Sequence, residues 1–238
     1  MATQKAIPSA NPGSQRQGLL VIGVVVVAAV VLAVIVILFA SRGGSAAINF
    51  ADIPTSRGAD GSFILGNPDA PVTIIEFADF GCPHCQAYQS TMEQFINEYV
   101  ATGKAQLEYR NFPTAGGQLT VFAAQLAECA DNQRPGAFWE AHNLLYGYAT
   151  TGRYNDELGR TLAQDLDMSY SDLLTCSSEA TQVQTDINFG RSSNISGTPA
   201  VMVRYGDGAA QFINAAGAIY DRGSVPMNVL AQVVNDAQ

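Results

Sequence analysis

The sequence predicts an α/β domain: one sheet flanked by helices, an all-helical segment set into its middle, and a single transmembrane helix in front. Three observations carry this. A 22-residue apolar block, Leu19 to Ala40, holds no charge. A strand–helix–strand run between residues 71 and 113 is interrupted by Gly81-Cys82-Pro83-His84-Cys85. A stretch from 118 to 190 keeps helical periodicity and is followed by strand, strand and helix.

The chain starts with a polar tail, residues 1–18, containing Pro8, Pro12 and Gly13, a composition that does not form a core. As a helix the block at 19–40 reaches roughly 33 Å, enough to cross a hydrocarbon layer of about 30 Å. It is longer than the 7–15 residues or so typical of a cleaved leader, so it reads as an uncleaved signal anchor, with Ser45-Ala46-Ala47 leaving cleavage as the alternative. Lys5 and Arg16 precede the block and no acid does. The positive-inside bias then places the N-terminus in the cytoplasm and the rest of the chain outside, in a single-pass arrangement at the cell membrane. All four cysteines lie beyond the block, as suits a compartment where disulfides persist. Residues 41–62, rich in Gly, Ser and Ala, read as a flexible linker to a domain over 63–238.

That domain is acidic. From residue 64 onward there are 8 basic and 19 acidic side chains, a net charge of −11. Nucleic acid is excluded as a partner, because no basic patch exists to neutralise phosphates. The same charge argues against a domain lying flat on an anionic bilayer.

Val72, Ile74, Ile75 and Phe77 form a β-branched and aromatic run expected of a central strand buried on both faces. Tyr88, Met92, Phe95, Ile96 and Tyr99 then fall at helical spacing, and Gly103 marks that helix's end. Residues 106–112 alternate as a second strand, closed by Pro113. In the helical insertion at 118–190, Leu119, Phe122, Leu126 and Cys129 share one face. Strands follow at 200–205 and, with an internal turn, at 211–220. A closing helix spans 224–234, with Ser224 as N-cap and Pro226 in its first turn. A β–α–β crossover and a final hairpin fit one four-stranded sheet.

The Cys82–Cys85 pair sits where a strand turns into a helix. A helix N-terminus carries about half a positive charge and unpaired N–H groups, so a thiolate there is stabilised as attacking or leaving group. Pro83 suits the first helical position, and His84 can add a hydrogen bond or positive charge near the Cys82 sulfur. Cys82 is the expected nucleophile at the more exposed end, and Cys85, one turn further, the buried resolving thiol. Half of a zinc site is the first rival, but Cys129, Cys176, His84 and His142 include no second paired motif to complete four ligands. A plain structural disulfide is the second, though a CxxC at a strand-to-helix turn makes a poor staple. His142 is expected to be an ordinary helix residue. No cofactor or metal is expected.

Gly66-Asn67-Pro68-Asp69-Ala70-Pro71, followed by Glu76-Phe77-Ala78-Asp79-Phe80-Gly81-Cys82-Pro83-His84-Cys85, resembles the DsbA-like branch of the thioredoxin superfamily, in particular its membrane-anchored bacterial members. Gly197-Thr198-Pro199-Ala200 resembles that family's cis-proline loop. The resemblance spans about residues 62–238 and implies a thioredoxin-like fold with an inserted helical domain. It implies a cis Pro199 beside the cysteine pair, with the Thr198 backbone offered to an extended substrate. It implies that Glu76 is a buried acid assisting proton transfer at Cys85, and that Cys129 and Cys176 form a structural disulfide. A second redox relay is the rival for that last pair. Asp79 reads as a loop residue.

The resemblance implies a protein-disulfide oxidoreductase outside the cytoplasm. The Pro83-His84 dipeptide favours an oxidase that passes disulfides to exported proteins with paired thiols. A DsbB-like or VKOR-like membrane protein would then reoxidise it. A reductase or isomerase of the same fold is the alternative, and a non-catalytic chaperone or binding module comes third.

Overall fold

The computed structural model describes residues 48–215 and 217–238. The tail at 1–18 and the apolar block at 19–40 lie outside the described residues. Within them no helix is long and apolar enough to cross a membrane.

Seven strands are described: β1 (Thr55–Arg57), β2 (Phe63–Leu65), β3 (Val72–Ala78), β4 (Gln106–Asn111), β5 (Ala200–Tyr205), β6 (Gln211–Ala215) and β7 (Ala218–Tyr220). They form one sheet in the order β1-β2-β4-β3-β5-β6-β7. β3 is central and buried along its whole length, as its apolar run implies. It pairs parallel with β4 and antiparallel with β5.

Two expectations are corrected here. The sheet has seven strands rather than four, because β1 and β2 precede β3 and extend the sheet beyond β4, and the run at 211–220 is two antiparallel strands, β6 and β7, rather than one. The stretch from residue 48 to 62, read as linker, is built into the domain. Phe50 and Ile53 are buried, and Phe50 stacks on Trp139 at 6.3 Å between ring centroids. Two apolar anchors, the β1–β2 pairing and the Asp60–Arg110 ion pair fix a segment whose composition suggests a tether.

The helices are α1 (Pro83–Phe95), α2 (Gly117–Gln133), α3 (Ala137–Thr151), α4 (Leu158–Asp165), α5 (Tyr170–Ser177), α6 (Gln182–Ser192) and α7 (Met227–Asn235). α1 continues as a π-helical turn, Ile96–Val100, and the chain leaves it through Gly103 at φ +76, the left-handed conformation glycine adopts freely. α2 to α6 make up the helical insertion. α7 starts three residues later than expected, with Pro226 at the capping position. Val225 is withheld from the helix: it is fully buried and its carbonyl accepts from the Tyr88 hydroxyl at 2.8 Å.

Strand alternation gives the sheet two unlike faces. Val72, Ile74, Leu107 and Tyr109 join the large core under α1 and α3. Ile75, Phe77, Phe112, Ala200 and Met202 form a smaller core on the other face. There Arg110 is buried between Glu108, Asp186 at 3.1 Å and Asp60 at 2.6 Å. Cys129 of α2 and Cys176 of α5 are joined as a disulfide closing 47 residues of sequence separation, which ties the first helix of the insertion to its fourth.

Candidate active site

Cys82 occupies the N-cap position of α1 with extended backbone, φ −83 and ψ 121, and Pro83 opens the helix. The Cys82 amide donates to the Asp79 carbonyl, and the Gln86 amide donates back to the Cys82 carbonyl, each at 3.0 Å. These two bonds hold the sulfur at the positive end of a 13-residue helix, where negative charge is favoured. Cys82 and Cys85 are free thiols. Both are buried, Cys82 at 5% and Cys85 at 1% exposure, so the first thiol is less open than anticipated.

The second half of the site arrives from the start of β5. The Thr198–Pro199 bond is cis, and the Cys82 thiol donates to the Thr198 carbonyl at 3.4 Å. Pro199 is buried and His84 exposed. Both line a groove of about 650 Å³, together with Tyr88, Thr198, Arg222 and Ser224. The groove runs from His84 along α1 to the segment before α7.

Glu76 lies beneath the pair. It is 1% exposed, its Oε2 has no hydrogen-bond partner, and burial pushes its carboxyl up to about 8. Burial also pushes the Cys85 thiol up, with the charges of Glu76 and Cys82 adding to the effect. A protonated carboxyl beside a buried thiol can give that sulfur a proton when it leaves and take one when it attacks.

Asp79, read as a loop residue, organises the surroundings. Its carboxylate accepts from the Gly81 amide at 2.8 Å and from the Thr114 and Ala115 amides at 2.7 Å each. It also accepts from the Thr120 hydroxyl. The β3–α1 turn, the loop after β4 and the first turn of α2 thus share one buried acceptor. A Cβ on Gly81 would meet the Thr120 hydroxyl at 3.1 Å, so the bare backbone there permits the close approach. Thr114 then bridges onward, its hydroxyl 2.7 Å from that of Thr198. An acid placed three residues before the first cysteine was the available signal, but its partners come from distant segments. Cys129 and Cys176 stand apart from this constellation as a disulfide, and among the described residues no cluster of metal-ligating side chains occurs.

A thioredoxin family model matches residues 59–207, more than half of the chain. The chain belongs to the thioredoxin family. Among solved structures, alpha-DsbA1 from Wolbachia pipientis superposes with a TM-score of 0.62 at 17% identity, covering 76% of this chain and 92% of that one; this family member therefore shares the DsbA fold. Disulfide bond formation protein D of Bacillus subtilis is 27% identical over 154 residues, 60% of this chain and 68% of that protein. A Na(+)/H(+) antiporter, NhaA 1 of Salinispora arenicola, is 31% identical over 146 residues, 60% of this chain but 22% of the antiporter. The chain spans less than a quarter of the antiporter's length.

Proposed function

We propose that this thioredoxin-family protein is a protein-disulfide oxidoreductase that passes disulfides to exported proteins through Cys82 and Cys85. The observation that carries the reading is the Cys82 sulfur at the N-terminus of α1, 3.4 Å from the Thr198 carbonyl, with Cys85 and the buried Glu76 behind it. A substrate thiolate attacks Cys82 Sγ; the Cys82–Cys85 bond breaks, and the electron pair leaves on Cys85, which Glu76 protonates. A second substrate thiolate attacks the mixed disulfide, expelling Cys82 as thiolate and leaving the enzyme reduced. The Thr198 backbone and Pro199 present an edge to the substrate, and His84 borders its path. The Cys129–Cys176 bond serves as a staple.

The DsbA fold and the likeness to disulfide bond formation protein D support this activity. The apolar block at 19–40, preceded by basic residues, supports an anchored domain outside the cytoplasm. A quinone-linked membrane protein of DsbB or VKOR type would reoxidise the reduced pair.

The test uses the full-length chain with Cys85→Ser. Mixed disulfides between Cys82 and exported proteins should accumulate and disappear in Cys82→Ser/Cys85→Ser; absence of adducts on the single variant rejects the activity. The reduction potential sets the direction. A value near about −120 mV fits an oxidase, and one near about −270 mV a reductant.

A further inference from the structure

The thiol exchange proposed above, on which this inference rests, creates a demand for protons deep in the core. Each time Cys85 departs from the disulfide it takes the Glu76 proton, leaving a carboxylate in a site that is 1% exposed. A buried charge without a partner is costly, so the carboxyl must be recharged from water.

The neighbours of Glu76 outline a route. Glu76 of β3 and Tyr109 of β4 are register partners, and in a parallel pair such partners project to the same face. No hydrogen bond joins them in the resting site, where Glu76 Oε2 is unpartnered, and that oxygen is the acceptor the Tyr109 hydroxyl must reach once the carboxyl is charged. The Tyr109 hydroxyl is 3.0 Å from the Tyr146 hydroxyl of α3, and either oxygen can be the donor. Tyr146 in turn lines a cleft of about 300 Å³ between α1 and α3, whose walls include Gln86, Gln89, Ser90, Glu93 and Asn143. Gln89 is 9% exposed, and neither its amide nitrogen nor its oxygen has a protein partner. A polar cleft with an unsatisfied amide is where ordered water belongs.

We propose that the Tyr109–Tyr146 hydroxyl pair conducts protons between Glu76 and the water of the α1–α3 cleft. In recharging, cleft water gives a proton to Tyr146, Tyr146 passes its own to Tyr109, and Tyr109 passes its own to the Glu76 carboxylate. Each phenol oxygen gains one O–H bond as it loses another. No electrons change hands, and bulk solvent neutralises the hydroxide left in the cleft. The route runs in reverse when Cys85 attacks a mixed disulfide and surrenders its proton. Burial pushes both phenols far above their ordinary range, and the charge of Glu76 adds to it, so neither phenol rests as a tyrosinate.

The other titratable groups near the route are Cys85 of α1 and Asp79 of the turn after β3, whose charges act on the phenols, Tyr88 of α1, which senses Glu76, and His142 of α3. The Tyr88 hydroxyl is committed to the Val225 carbonyl. His142, with ring centroids 4.8 Å from Tyr109 and 5.0 Å from Tyr146, is kept neutral by burial, which lowers it to about 3. It brings no charge to the route at neutral pH.

The test compares full-length wild type, Tyr109→Phe and Tyr146→Phe, oxidised and mixed rapidly with a dithiol peptide across pH 5–9 in light and heavy water. Loss of either hydroxyl should slow reduction by about fivefold or more and change the solvent isotope effect. The equilibrium with glutathione should stay within about twofold of wild type, because a conduit sets a rate and not a reduction potential. Gln89→Met, which removes polar cleft lining without touching either phenol, should slow reduction in the same direction. Phenylalanine variants with wild-type rates and isotope effects overturn the route. So does slowing matched by an equal shift in the glutathione equilibrium, which would mark a packing or electrostatic effect. If the wild type itself oxidises no dithiol peptide, the parent activity falls and this route with it, an outcome distinct from both.

Discussion

The Cys82 thiol and the Thr198 carbonyl meet at 3.4 Å across 116 residues of sequence. The contact joins the head of α1 to the segment entering β5, two places with no direct chain connection. The Asp79 carboxylate and the Thr114–Thr198 hydroxyl pair hold the two segments in register around the sulfur.

Removing the Thr114–Thr198 link tests that support. Thr198→Val keeps the backbone carbonyl and deletes the hydroxyl. The bond is exposed, so stability should fall by only about 0.5–1.5 kcal/mol. Exchange with a dithiol peptide should slow several-fold more than that loss implies, as read by kcat/KM beside the denaturant midpoint.

Asp79→Ala should be far more damaging. It strands the Thr114 and Ala115 amides and leaves the Gly81 amide only the Thr120 hydroxyl at 3.3 Å, where all three now share one carboxylate. Leaving buried donors unmet costs about 1–3 kcal/mol each at most. A fall of roughly 3 kcal/mol in urea unfolding, with slower exchange, is expected.

Glu76 makes the reduced protein less stable as pH rises. Its folded pKa, about 8, lies above its ordinary 4.5, so between these values the folded state holds the proton and the unfolded state does not. Stability therefore falls with increasing pH across that window, by at most about 1.4 kcal/mol per unit. Glu76→Gln should flatten this part of the profile. Unfolding midpoints of both proteins at pH 5 and 8 give the comparison, and other groups cancel in the difference.

His142 acts at the acid end with the opposite sign. Its folded pKa of about 3 lies below the ordinary 6.5, so the unfolded state binds the proton first and stability drops as pH falls from 6.5 toward 3. Both ring nitrogens are buried without partners. His142→Phe should therefore resist acid better, seen as a lower pH midpoint of unfolding.

Replacing Cys129 and Cys176 together with alanine opens a loop of 47-residue separation. A loss of about 2–4 kcal/mol is expected, with thiol exchange retained at temperatures where the variant is folded. A melting curve paired with an activity assay checks both, and loss of exchange by the folded variant would favour a redox relay.

The central strand, the helix carrying the cysteines and the Thr198–Pro199 loop were legible because each is local. Apolar runs mark β3, and Pro83 marks the start of α1. β1 and β2 escaped because each has three residues, too few for alternation to register. Yet Gly58 and Gly61 mark the turn between them, with the Gly58 amide bonded to the Ser62 carbonyl at 2.9 Å. Asp79 and the Tyr109–Tyr146 pair depend on strand register and helix packing. Nothing in the segment from 106 to 112 says that Tyr109 faces Glu76 until β4 is laid beside β3 in parallel.

β1 carries a practical consequence for handling the molecule. It is exposed along its length, yet it occupies the outer hydrogen-bonding rim of β2, whose Phe63 and Leu65 are buried. A protease cut or a shortened expression product that sheds the chain before Ser62 would uncap that rim and remove Phe50 from Trp139. Bare rims of this kind recruit other strands, so such a fragment would tend to self-associate while its sulfur chemistry remained intact.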